Sequence, residues 1–121
     1  MGIGRPEETA MARVFGIHEI RLRPEVKEDD FERFLTERYA PGWAEIGWKL
    51  TLLKGFRGDR PGRYAVLFEI DSIDALVRYE PVVGTWTESG QAFLKKVAPL
   101  LDEWGQFVGG TLFTDYAEVV K

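Results

Sequence analysis

The sequence predicts a single α+β domain of βαββαβ order, built on a four-stranded antiparallel sheet. Its 121 residues suffice for one domain and leave no room for a second. Four stretches of strand length are separated in turn by an amphipathic helix, a Gly- and Pro-rich turn, and a second helical region. Two of those strands are apolar on both faces, which sets a condition on what must surround the sheet.

Residues 1–12 contain Gly2, Gly4 and Pro6 without periodicity and read as a flexible tail ahead of a domain spanning 13–121. The first strand covers 14–22 and ends before Pro24, which cannot donate to a central ladder. Glu28, Asp29 and Asp30 then suit the positive end of a helix dipole. Phe31, Phe34, Leu35 and Tyr39 follow at spacings of three and four, which places them on one helical face. Pro41 and Gly42 are expected to stop this helix. Residues 46–57, rich in Trp, Leu, Thr and Phe, read as a long second strand, and 63–70 as the third. Gly58, Asp59, Arg60, Pro61 and Gly62 between them have the composition of a hairpin turn.

Asp71 or Ser72 can cap the next helix, which carries Ile73, Leu76 and Val77 and reaches toward Tyr79 and Pro81. A longer helix begins near Thr87, with Phe93, Val97, Leu100, Leu101, Trp104, Phe107 and Val108 as its apolar stripe. Pro99 should kink or split it, because that position has no backbone N–H to give. Gly109 and Gly110 are expected to end it, ahead of a last strand over 112–120.

In the first strand Phe15 and Ile17 oppose Val14, Ile20 and Leu22; in the third, Ala65 and Leu67 oppose Tyr64, Val66, Phe68 and Ile70. An antiparallel sheet with one wet face should alternate apolar and polar. The two helical regions can cover one face only. A second copy of the sheet is the economical cover for the other, so a homodimer is expected.

Composition excludes several classes of function. With no cysteine there is no disulfide, thiolate nucleophile, zinc ribbon or iron–sulfur site. Residues 1–13 lack the apolar core of a signal peptide, and no apolar run approaches the ~20 residues that span a bilayer. A cytoplasmic protein without membrane association is the default expectation. The net charge is −4, with Arg and Lys interleaved among Glu and Asp, whereas phosphate-tracking proteins concentrate positive charge. No nucleic-acid partner is expected.

The run Ile20-Arg21-Leu22-Arg23-Pro24 leading into Phe31 and Phe34, the turn before Tyr64, Asp71-Ser72 and the closing strand with Tyr116 resemble the dimeric α/β-barrel superfamily. The resemblance covers about 14–120 and implies a ferredoxin-like domain whose sheet packs face to face with that of a second copy. The superfamily includes antibiotic-biosynthesis-type monooxygenases, stress-responsive barrel proteins, polyketide cyclases and haem-degrading enzymes, so it implies a fold and not a reaction.

His18 is the only histidine and shares a face with Ile20 and Leu22. In an apolar pocket its pKa could serve general acid–base work; packed in the core it would do none. Stress-responsive barrel proteins and related cyclases are similar in carrying a first-strand histidine beneath the helices. The second histidine of the cyclase arrangement is missing here, and the distance from His18 to the strand's end is about two residues shorter. Tyr64 and Tyr116 are the candidate proton donors, and core packing is the alternative for each. Trp48, Phe68, Trp86, Phe93 and Trp104 could wall a cavity for a flat apolar ligand or simply fill the interior.

The glycine-rich stretch 55–62 lacks the spacing of a phosphate loop and joins two strands. One histidine and scattered carboxylates offer no metal-site pattern, so neither metal nor cofactor is expected. An RNA-recognition domain also runs βαββαβ, but Arg63 and Val66 stand where its third strand needs glycine and a stacking aromatic. The reading is a dimeric barrel that binds an apolar or aromatic small molecule. Its chemistry would be cofactor-independent, monooxygenase-like or cyclase-like. The alternative is a non-catalytic ligand-binding or protein-interaction module.

Overall fold

A computed structural model describes residues 10–120 of the chain. Four strands form one antiparallel sheet in the order β2-β3-β1-β4, with β1 Val14–Leu22, β2 Lys49–Lys54, β3 Tyr64–Ile70 and β4 Val108–Ala117. Between β1 and β2 lies α1 (Glu28–Phe34), which passes through a π-helical turn (Leu35–Tyr39) into α2 (Ala40–Ala44). Between β3 and β4 come α3 (Ile73–Val77), α4 (Glu88–Lys96) and α5 (Ala98–Phe107). This is the ferredoxin-like α+β arrangement expected from the sequence.

Register sorts the side chains into two faces. His18 stands opposite Val66 on β3 and Phe113 on β4, and Gly16 stands opposite Phe68 and Asp115. These residues, with Val14, Ile20, Tyr64 and Ile70, face the helices, because side chains alternate along a strand. Phe31, Leu35 and Val66 are fully enclosed beneath them and centre the core. Burying each such side chain stabilises the fold by about 1.5–3 kcal/mol.

The opposite face carries Phe15, Ile17, Ala65, Leu67, Leu112 and Tyr116, with no helix over it among the described residues. Leu112 is 70% exposed and Tyr116 54%. The two-faced apolar pattern of β1 and β3 is thus present in the fold.

Several boundaries differ from the sequence expectation. Pro41 and Gly42 do not end the first helix. The N–H of Ala40 reaches back five residues to Leu35 O, and Pro41 then sits in the first turn of α2, where an N–H is not required. A Cβ on Gly42 would lie 2.6 Å from Leu100 Cδ1, so glycine here admits the close approach of α5. β2 is shorter than 46–57. Gly47 turns the chain with φ +84° before it, and a Cβ on Gly55 would collide with Arg60 O at 1.9 Å after it.

Gly109 and Gly110 do not terminate the last helix but lie inside β4, which begins at Val108. Arg21 pairs with Gly110 and its guanidinium lies over it, at a bulge between Arg21 and Leu22, so the missing side chain makes room for the arginine. Pro99 splits the helix as expected, between α4 and α5. Ser72 and Thr87 cap α3 and α4 through Ala75 N–H and Gly90 N–H. Of the tail expected over 1–12, residues 1–9 lie outside the described residues. Ala12 is buried and its carbonyl accepts from Ile73 N–H at 2.9 Å. Among the described residues no helix is long and apolar enough to cross a membrane.

Candidate functional site

A half-open cavity of about 420 Å³ lies between the sheet and the helices. Its floor is β-sheet: His18 from β1, Phe68 from β3, and Phe113 and Asp115 from β4. Its walls are Tyr39, Trp43 and Trp104 from the helices, with Trp48 and Trp86 from the segments that follow α2 and precede α4.

The helical walls are set by the π-turn. Tyr39 lies in it and Trp43 one turn beyond, and both rings line the cavity. Such turns shift the register of a helix and recur at functional sites. Tyr39 stacks on Trp104 at 4.8 Å and Trp43 on Trp48 at 5.3 Å, while Trp86 lies 6.1 Å from Trp48. Trp86 is held by the segment around Thr87, whose hydroxyl donates to Arg78 O at 2.7 Å. Gly90 packs so closely beneath that segment that a Cβ would meet Tyr79 O at 2.4 Å.

His18 is clasped by two aromatic rings. Phe113 stacks on it at 4.8 Å with planes 13° apart, and Phe68 lies at 4.4 Å. Burial lowers its pKa below the ordinary value, and the nearby Asp115 carboxylate opposes that only in part. At neutral pH the imidazole is therefore neutral and able to accept a proton. Gly16 contributes by what it lacks. The space its Cβ would fill lies 2.6 Å from Asp115 Oδ1 and 3.6 Å from His18 Nε2, so carboxylate and imidazole border the same gap.

Two further polar groups complete the lining. Glu80 accepts a hydrogen bond from Gly84 N–H at 2.9 Å, yet burial raises its pKa. Burial also pushes the Tyr39 phenol up to about 12, so that its hydroxyl stays protonated and available as a donor. Trp48 Nε1 is the one buried side-chain nitrogen or oxygen among the described residues without a hydrogen-bond partner.

Of the residues singled out from sequence, His18, Trp48, Phe68, Trp86 and Trp104 come together around this cavity. Phe93 is buried behind it, 5.2 Å from Trp43, and supports the wall without lining it. Tyr64 faces the helices but donates its hydroxyl to Glu32 away from His18; burial first, and then that bond, raise its pKa. Tyr116 stands opposite Phe15 on the other face of the sheet. Neither tyrosine lines the cavity that holds His18. Tyr39, Trp43, Glu80 and Asp115 were not singled out. Tyr39 reads from the sequence only as part of a helix's apolar face, Trp43 lies beyond the expected helix stop at Pro41, and Asp115 is identified only by its register against Gly16.

A larger cleft of about 560 Å³ is lined by Arg21, Lys54, Arg60 and Arg63. It includes Ala65 and Leu112 of the uncovered face, and Arg60 is paired there with Glu19 at 2.5 Å. The cavity beneath the helices is the one that contains His18.

No protein-family model and no curated protein matches the chain. Among solved structures it is similar to a DABB family protein with a ferredoxin-like fold from Mesorhizobium loti. That match has 17% identity, covers 90% of this chain and 99% of the other, and has a TM-score of 0.58. It also matches a dimeric ferredoxin-like protein of unknown function from Thermobifida fusca at 16% identity, with coverage of 88% and 92% and a TM-score of 0.47. A hydroxynitrile lyase from Passiflora edulis matches at 12%, with coverage of 89% and 94% and a TM-score of 0.45. The likeness to the Mesorhizobium loti protein is one of fold, the ferredoxin-like arrangement expected from the sequence.

Proposed function

We propose that this protein binds an apolar or aromatic small molecule beneath its helices and moves a proton on it with His18, as a homodimer. The observation that carries the reading is a neutral imidazole on the floor of an aromatic-walled cavity, beside the carboxylate of Asp115. A desolvated histidine at neutral pH has the protonation state that a general base requires. Tyr39, protonated and on the wall of the same cavity, supplies the hydrogen-bond donor for oxygen charge that develops in the reaction. Proton abstraction from a carbon acid, the opening step of cyclase-like and cofactor-independent oxygenase-like chemistry, needs only these two roles. Cover for the outer sheet face by a second copy follows from Phe15, Ile17, Leu67 and Leu112.

A second reading, a binding module without catalysis, is favoured by the placement of Tyr64 and Tyr116 away from His18. One experiment separates the two. Aromatic ketones with an acidic α C–H, both neutral and amine-bearing, are incubated with protein in D₂O. Binding is read by tryptophan fluorescence and exchange by NMR. The catalytic reading expects exchange faster than with free imidazole at equal concentration, lost in His18→Gln while binding persists. Binding with no accelerated exchange in any ketone selects the module. No binding at all removes the ligand pocket.

A further inference from the structure

The cavity has a chemical bias that its aromatic surface conceals. Among the described residues its lining contains two charged side chains, Glu80 and Asp115, both acidic, and no Lys or Arg. None of the ion pairs between described residues includes either carboxylate. Lining the same cavity are the rings of Tyr39, Trp43, Trp48, Trp86 and Trp104, a contiguous aromatic wall. The partly buried Glu80 carboxylate calls for a counter-charge, the more exposed Asp115 adds a second negative charge beside the same cavity, and aromatic faces attract cations electrostatically. We infer that the cavity takes an organic cation, a small apolar or aromatic molecule bearing a protonated or quaternary amine, with the ammonium between the tryptophan walls and the Glu80 and Asp115 carboxylates.

The inference rests on the cavity being a ligand site and specifies the class of ligand. It also bears on the proton transfer proposed for His18. Removing a proton from a neutral substrate would place a new negative charge beside two carboxylates, an arrangement that disfavours the transition state. A substrate carrying its own ammonium offsets that charge. The same two carboxylates that repel an enolate then hold the molecule that becomes one. The pKa of Glu80, raised first by its burial, should fall when the cation enters.

The test compares an ammonium with its neutral isostere and with an aromatic anion of similar size. Benzyltrimethylammonium, its neutral isostere neopentylbenzene, and the anion 4-tert-butylbenzoate are titrated into the full chain, with tryptophan fluorescence as the readout. The expected result is at least tenfold tighter binding of the ammonium than of the isostere, with the anion weakest. Glu80→Gln and Asp115→Asn should each weaken the ammonium several-fold and leave the isostere unchanged. Equal or tighter binding of the isostere to the wild-type protein would overturn the cation preference while leaving a ligand pocket in place. Failure of all three probes to bind would overturn the pocket itself. The wild-type comparison needs no variant, so a substitution that misfolds does not decide the outcome.

Discussion

Gly16 stands directly opposite Asp115 in the sheet, and a Cβ on it would lie 2.6 Å from the Asp115 Oδ1 atom. The absent side chain lets that carboxylate lean across β1 toward His18. The arrangement can be read in solution, because the chain has a single histidine and its NMR titration is free of overlap. Asp115 raises the His18 pKa against the larger effect of burial. Asp115→Asn should therefore lower it further, and Gly16→Ala should act in the same direction by displacing the carboxylate. Gly16→Ala should also cost about 1–3 kcal/mol of stability through crowding, first against the Asp115 carboxylate and then against Phe68. A His18 titration unmoved by Asp115→Asn would show that the two groups do not interact.

Protonation of His18 also links stability to pH. Its folded-state pKa lies below the ordinary 6.5, so on acidification the unfolded chain takes up this proton first. The contribution is fully present above pH 6.5 and is lost as pH falls through that value toward the lowered folded pKa. Glu80 acts in the opposite sense. Its folded pKa is raised above 4.5, so its contribution is present below that value and is lost as pH rises through the folded pKa. The His18 share is isolated by comparing wild type with His18→Gln in urea unfolding at pH 7 and pH 5. Wild type should lose more stability across that interval, and parallel losses would count against a buried neutral imidazole.

The outer face of the sheet makes a separate prediction. Ile17 and Leu67 pair across β1 and β3 at the centre of that face. Placing glutamate at either position should leave far-ultraviolet circular dichroism unchanged and weaken the dimer at least tenfold, equivalent to about 1.4 kcal/mol. Sedimentation equilibrium measures the shift toward monomer. A wild-type chain that is monomeric at micromolar concentration would sink the dimer.

Most of the scaffold was legible in the sequence because it rests on local signals. Periodicity placed β1 and β3, Ser72 and Thr87 marked their helix starts, and Pro99 marked the break between α4 and α5. Legibility failed where a local signal had a tertiary answer. Pro41 and Gly42 look like a helix stop, but a π-turn removes the need for the Pro41 N–H, and the packing of Leu100 uses the bare Gly42. Gly109 and Gly110 look like a terminator, but Arg21 lies over Gly110 within a ladder.

By itself, the sequence determined the βαββαβ order, the face on which His18 lies and the apolar character of both sides of the sheet. These follow from the two-residue period of strands and the 3.6-residue period of helices, which act over neighbouring positions. The tertiary structure alone decided which tyrosine shares a cavity with His18, and that two carboxylates do. Those outcomes depend on strand register, where one step sends a side chain to the opposite face. Tyr116 was lost to the site and Asp115 entered it for the same physical reason, being adjacent in sequence and therefore on opposite sides of one strand.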